Sequence, residues 1–285
     1  MCPSYMATRD EKDTTRARAN LLRHILSQRS LDDSPLGSPE VRDVLDLCLS
    51  CKGCKSECPS NVDMARIKAE FMQGFYDVHG TPWKIRMLAG LSGMLRCGSG
   101  APGIVNFINT QRQASKWVKR LLGIHPRRSM PQLQATTLRS WFRKRPRIRR
   151  DGTKGALFFF CDEFTNYIDV SAGIAAIELL EGLGYRVTLP DHVESGRACI
   201  SGGLLRSARK IAEQNVRRLG DQLTGDHILV GIEPSAVLTL RDEYPDLVDR
   251  ELQPAAVKLA ENTLLIEEFL DREIERGRIV PQFFD

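Results

Sequence analysis

Long apolar runs are missing from this 285-residue sequence. No stretch of about 18 uncharged apolar residues occurs, so no helix of it is expected to span a bilayer. Residues 1–10 lack the apolar core that marks a secretory leader. Missing too is a glycine-rich phosphate loop behind the first apolar strand, which argues against a dinucleotide site. No aromatics are interleaved with the densest basic run, Arg143, Lys144, Arg145, Arg147, Arg149 and Arg150. Nothing in that run would stack on bases, so nucleic acid is not an expected partner. The run reads instead as a solvated linker. With no sign of secretion, the eight cysteines read as ligands or buried thiols rather than crosslinks. That places the protein in the cytoplasm, or peripherally on the inner face of a membrane.

What is present describes an ordinary globular chain, 42% hydrophobic with a net charge of +5 and a mean hydropathy of -0.27. The basic run separates two kinds of pattern. Before it, helical periodicity dominates: Leu21, Leu22, Ile25 and Leu26 mark a helix over residues 15–28. A turn follows at 32–37, then Ser38-Pro39-Glu40 reads as a helix start with cap, first-position proline and first-turn acid. Asp63 is placed to cap another helix carrying Ile67, Phe71 and Phe75. Between 82 and 131, Ile104, Val105, Ile108, Trp117, Val118, Leu121 and Leu122 form an apolar stripe beside Arg112, Lys116, Lys119 and Arg120. Such a stripe either packs on its own protein, the expected use, or makes a peripheral contact with a membrane.

After the basic run, strands alternate with helices. Strands are expected at 156–161, 186–189 and 228–232, and helices at 170–183, 204–219, 234–244 and 252–276. This alternation implies an α/β domain with a mostly parallel sheet. The expected organisation is an α-helical N-terminal domain at 1–81, a helical basic linker at 82–154 and the α/β domain at 155–285.

The chemistry is concentrated in Cys48-Leu-Ser-Cys51-Lys-Gly-Cys54-Lys-Ser-Glu-Cys58-Pro59, a C-x2-C-x2-C-x3-C-P run. Two-residue gaps let three thiolates of one tight loop reach three corners of a [4Fe–4S] cubane, and Gly53 relieves crowding beside the inorganic sulfide. Zinc needs four ligands about one small ion, commonly as two separated pairs, which three consecutive two-residue gaps fit poorly. In two-cluster proteins the fourth cysteine of this run ligates the other cluster. Cys2-Pro3 looks like the tail of a second such motif, so Cys48, Cys51, Cys54 and Cys2 are expected to hold one cluster. Cys58 would then serve another, and the sequence reads as beginning within a motif.

Together these residues carry a resemblance. Residues 1–9, residues 15–22 and the Cys48–Pro59 run resemble the iron–sulfur region of FAD-linked D-2-hydroxyacid dehydrogenases, the D-lactate and D-2-hydroxyglutarate dehydrogenase group. Phe160-Cys-Asp-Glu-Phe-Thr-Asn166, His192-Val-Glu-Ser-Gly-Arg197 and Gly231-Ile-Glu-Pro-Ser235 resemble a further domain of the same family. That domain is related to the cysteine-rich domains of glycerol-3-phosphate dehydrogenase and heterodisulfide reductase subunits. The resemblance implies a ferredoxin-like fold for the first domain and one half of a cysteine-rich-type fold for the last. It also implies FAD on a flavin domain outside this sequence, and an acceptor such as a quinone or carrier protein. This sequence departs from the family in lacking paired cysteines, since Cys161 and Cys199 stand apart and Ala236 follows Glu-Pro-Ser. A further metal site in this domain is thereby left without its usual ligands.

Weaker candidates remain. His192, Glu194 and Arg197 sit in a loop after a strand, where α/β sheets place ligand sites. Arg197 has the geometry to clamp a carboxylate, and His192 titrates in the range of a proton relay; the alternative is that they only tie the loop down. Asp162 and Glu163 suit a helix cap or an interdomain ion pair. Cys97 reads as a small loop residue, and Cys161 and Cys199 as buried thiols.

Overall fold

The computed structural model describes residues 2–27, 37–146, 154–223 and 227–280. The turn at 32–36 and the Arg147, Arg149 and Arg150 end of the basic run lie outside them. By contacts the chain divides into two compact units. One is Met1–Ala89 with Ala198–Ser207, and the other is Gly90–Arg197 with Ala208–Asp285. Among the described residues, no helix is long and apolar enough to cross a membrane.

The first unit is helical: α1 (Pro3–Thr8), a 3-10 turn at Glu11–Asp13, α2 (Thr15–Ser27), α3 (Pro39–Asp46), α4 (Gly53–Glu57), α5 (Met64–His79) and α6 (Trp83–Ala89). The caps fall where the sequence placed them. Ser38 Oγ accepts from the Val41 N–H at 3.4 Å, with Pro39 opening α3. Asp63 Oδ1 accepts from the Arg66 N–H at 3.1 Å and starts α5. Leu22, Val41, Leu45, Met64, Phe71, Phe75 and Tyr76 close the core between α2, α3 and α5. This core holds the loop between α3 and α5, which carries the cysteine run.

The second unit opens with α7 (Leu91–Gly98), α8 (Pro102–Thr110), α9 (Arg112–Leu122) and α10 (Leu138–Lys144). The basic run begins as structure rather than as linker, since Arg143 and Lys144 end α10. Arg145 donates to both Glu181 oxygens, at 2.8 and 2.6 Å, and its guanidinium lies 3.9 Å from the Phe142 ring centroid. Then come β1 (Ala156–Phe159), α11 (Glu163–Tyr167), α12 (Val170–Gly182), β2 (Arg186–Thr188), α13 (Arg197–Ser201, which after Arg197 belongs to the first unit), α14 (Leu205–Gln222, in the second unit from Ala208), β3 (Ile228–Gly231), α15 (Pro234–Leu238), α16 (Tyr244–Leu247), α17 (Gln253–Glu261), β4 (Thr263–Leu265) and α18 (Ile266–Glu275). The sheet is fully parallel, in the order β2-β1-β3-β4. Phe159, Ile177, Leu180, Val187, Val230 and Phe269 pack on one side of it, and Phe160, Val216, Leu219, Leu229 and Leu259 on the other.

Two expected elements differ. The single helix over 252–276 is interrupted by β4, which pairs Leu229 with Thr263, Val230 with Leu264 and Gly231 with Leu265. A three-residue strand is too short to show a period of two, and the surrounding Leu259, Leu264, Ile266 and Phe269 imitate a helical stripe. The β-branched Thr263 marks the break, with its hydroxyl donating to the Leu259 carbonyl at 2.6 Å. Second, the helix over 234–244 passes through a π-helical turn at Thr239–Glu243 before α16. Gly231 closes β3, and a Cβ there would collide with Cγ2 of Val237 on α15.

Candidate iron–sulfur site

The loop from Cys48 to Asp63 has little regular structure beyond the single turn of α4, so its shape comes from backbone conformation and a few anchors. Ser50, Lys52 and Asn61 are held left-handed, at φ of 52°, 59° and 52°. For Ser and Lys this conformation costs roughly 1–2 kcal/mol each, and it persists only where the surroundings impose it. Alternating handedness of this kind turns successive backbone N–H groups toward one concavity, a geometry common at anion and iron–sulfur sites. The Lys68 ammonium on α5 donates to the carbonyls of Cys48, at 2.7 Å, and Asp46, at 3.3 Å. Burial holds the Lys68 pKa below its ordinary value.

Cys2, Cys48, Cys51, Cys54 and Cys58 line one cavity of about 450 Å³, together with Arg18, Lys52 and Glu57. Among the described residues no three His, Cys, Asp or Glu side chains gather tightly enough to hold one metal ion. The five thiols surround a volume rather than a point. That volume, its thiol donors and the cations Arg18 and Lys52 on its wall suit an anionic cluster of several irons and sulfides.

Cys2 is no frayed terminus. Its sulfur lies 3.1 Å from Ser4 Oγ and accepts from Arg18 Nη1 at 3.2 Å. Arg18 is 1% exposed on α2 and also donates to Ser4 Oγ and to the Val44 carbonyl. Burial pushes the Cys2 thiol up, but Ser4, Arg18 and the backbone N–H groups of Ser4 and Tyr5 outweigh it and bring the pKa down to about 7. Cys58 also lies below its ordinary value, through the backbone N–H groups of Val62 and Ser60. Sequence reasoning missed Arg18 and Lys68. A signal for Arg18 existed: it falls one helical turn before Leu22 on the apolar side of α2, where a cation needs a buried partner.

The remaining candidates lie elsewhere. In the second unit, Cys161, Asp162, Glu163, His192 and Glu194 border a separate cavity of about 340 Å³ with Arg139. His192 stacks on Phe160 with ring centroids 4.3 Å apart. Its Nε2 accepts the Cys161 N–H at 3.2 Å, and its Nδ1 lies 2.6 Å from the Val193 carbonyl, to which it donates. Burial, with Arg139 nearby, drives its pKa down to about 3. The ring is neutral and fully bonded at neutral pH, the geometry of a group that ties a loop down. Arg197 Nη1 bonds Glu243 at 3.1 Å and does not border the cavity. Asp162 caps α11, accepting from the N–H groups of Phe164 and Thr165 and from the Thr165 hydroxyl. Glu163 is engaged by the N–H and hydroxyl of Ser195, at 3.0 and 2.7 Å. Cys161 is buried, its thiol pushed up to about 12, and Cys199 is buried as well. Cys97 stands exposed near the end of α7, on a helix rather than in the expected loop.

Residues 1–63 match the 4Fe-4S dicluster domain family, and the loop from Cys48 to Asp63 lies within that match. The chain as a whole is similar to the D-2-hydroxyglutarate dehydrogenase of Pantoea ananatis, 24% identical over 322 residues covering 98% of this chain and 31% of that protein. The D-2-hydroxyglutarate dehydrogenase of Escherichia coli is 23% identical over 304 residues, covering 93% of this chain and 30% of its own. One subunit of the anaerobic glycerol-3-phosphate dehydrogenase of Escherichia coli is 26% identical over 180 residues, 62% of this chain and 44% of that one. The chain thus spans about a third of the length of the D-2-hydroxyglutarate dehydrogenases it matches. No solved structure matches it.

Proposed function

We propose that the chain is the iron–sulfur electron-transfer module of a flavin-dependent D-2-hydroxyacid dehydrogenase, with a ferredoxin-like arrangement of its first unit. The observation that carries this reading is the set of five cysteines around one cavity, in a segment that matches 4Fe-4S dicluster domains. One-electron transfer between a reduced flavin and an acceptor, such as a quinone or a carrier protein, is the chemistry such centres supply. Cys48, Cys51 and Cys54 hold three corners of one cluster and Cys2 the fourth, while Cys58 faces a second. Arg18 positions the Cys2 thiolate, and Lys68 fixes the backbone at Cys48. The flavin belongs to a separate domain or subunit. A second reading, an iron–sulfur subunit working beside a flavoprotein chain, is favoured by the likeness to the glycerol-3-phosphate dehydrogenase subunit.

The reconstituted chain alone should not oxidise D-2-hydroxyglutarate or D-lactate with an artificial acceptor. Adding a flavoprotein of this class with its substrate should bleach the cluster absorption within the time of turnover. Hydroxyacid oxidation by the chain with no flavoprotein added would overturn the reading.

The ligand assignment has its own outcome. Cys58→Ser should leave the iron of one cluster largely in place, whereas Cys2→Ser should lower it by half or more, read as iron per chain after anaerobic desalting. Retention in Cys2→Ser with loss in Cys58→Ser would reassign the fourth ligand to Cys58, and equal losses in the two variants would overturn the division of roles between them.

A further inference from the structure

Helices α8 and α9 reverse the usual partition of side chains. On α8 the exposed positions follow a helical stripe, Ile104 (65% exposed), Phe107 (63%) and Ile108. The polar Asn106 faces inward, exchanging two 2.8 Å bonds with the backbone of Leu133. On α9, Trp117 is 73% and Leu121 60% exposed, one turn apart. There Ser115 and Lys119 are buried instead, with the Lys119 ammonium donating to the Pro126 carbonyl at 3.2 Å. The apolar stripe read from the sequence therefore does not simply pack on its own protein. An amphipathic helix of a globular domain buries its apolar face, so these two present theirs to something else.

Charge identifies what that is. Arg112, Lys116 and Arg120 stand exposed in a row at helical spacing along α9, and Lys116 and Arg120 neighbour the exposed Trp117 and Leu121. Between Asp77 and Asp151 the sequence has no Asp or Glu, against sixteen Lys and Arg. The apolar side chains project from helix exteriors, where a partner of fixed shape needs matching pockets but a fluid phase needs none. Trp at a polar–apolar boundary, with long basic chains reaching to headgroups, is the pattern of interfacial helices. Nucleic acid would satisfy the charge but leave Ile104, Ile108 and Leu121 without a role.

We propose that α8 and α9 form a docking surface for an anionic phospholipid bilayer. Ile104, Phe107, Ile108, Trp117 and Leu121 enter the boundary between headgroups and acyl chains, and Arg112, Lys116 and Arg120 pair with lipid phosphates. This surface is independent of the electron-transfer reading, and iron content is measured alongside so that the two fail separately.

The test is sedimentation of the full, anaerobically reconstituted chain with vesicles of phosphatidylcholine, pure or containing roughly one-third phosphatidylglycerol. Partitioning onto the anionic vesicles should exceed that onto the neutral ones about tenfold and weaken with salt. Lys116→Glu with Arg120→Glu, and separately Trp117→Ser with Phe107→Ser, should each lower anionic partitioning about tenfold while circular dichroism and iron content stay unchanged. The proposal is overturned by equal binding to both vesicle types or by no binding at low salt. It is equally overturned if the Trp117 and Phe107 pair proves dispensable, which would leave charge alone. Retention on duplex or single-stranded DNA with vesicles left unbound would assign the surface to nucleic acid and overturn it as well.

Discussion

Anaerobic reconstitution should give the broad visible absorption of a [4Fe–4S] centre and about four irons with four sulfides per occupied cluster. Replacing any one of Cys48, Cys51 or Cys54 by Ser should cut bound iron several-fold and remove most of that absorption. Cys97→Ser, Cys161→Ser and Cys199→Ser should leave both in place, because those three thiols do not border the cavity. The effect is large because this one loop would supply three of a cluster's four thiolates, and the loss of one would leave an iron open to solvent. Binding to the native state alone also stabilises it by mass action, so the first unit of each loop variant should unfold at a lower temperature than wild type. Tight stoichiometric zinc with no sulfide would sink the iron–sulfur assignment.

Acidification gives the second large effect. His192 is neutral in the native state with its pKa near 3, while an unfolded histidine titrates near 6.5. Below pH 6.5 the unfolded chain takes up a proton that the folded one refuses, so native stability falls as pH falls, until about pH 3. The full term is about 5 kcal/mol. Asp162 opposes it over part of the window. Burial raises its pKa to about 6, so the folded state gains a proton first and is favoured as pH falls from 6 toward 3.8. The two are separated by comparing wild type with His192→Gln in urea. The stability difference between them should shrink by about 2 to 3 kcal/mol between pH 7 and pH 4.5. A difference that stays constant would mean that the ring is solvated and titrates normally.

The cysteine loop was legible because its chemistry needs residue types at fixed spacings, and spacing is what a sequence displays. Ser38, Pro39 and Asp63 were legible for the same reason, since a cap is a local event. Of Arg18 only the position on the apolar side of α2 was; its role was not, because that depends on Val44 and Ser4 reaching it across two other segments. Nor was β4, where three residues between helices carry no period of their own. His192 and Arg197 show a different limit. Their residue types permit catalysis, but the His192 ring is bonded at both nitrogens and Arg197 is paired with Glu243. Only the environment separates an available group from a satisfied one.

The composition of the first unit bears on its stability. Residues 198–207 belong to it although more than a hundred residues separate them from Ala89. Within it Leu204 packs on the helical core, and Arg206 pairs with Asp77 at 2.7 Å. Gly203, left-handed at φ 73°, sits where any Cβ would strike Met72. The first unit is therefore discontinuous in sequence, completed by a segment that returns from within the second. A chain ending near residue 90 would leave the core around Phe71 and Phe75 without Leu204 and Asp77 without Arg206, so it should fold less stably than the unit with its returning segment.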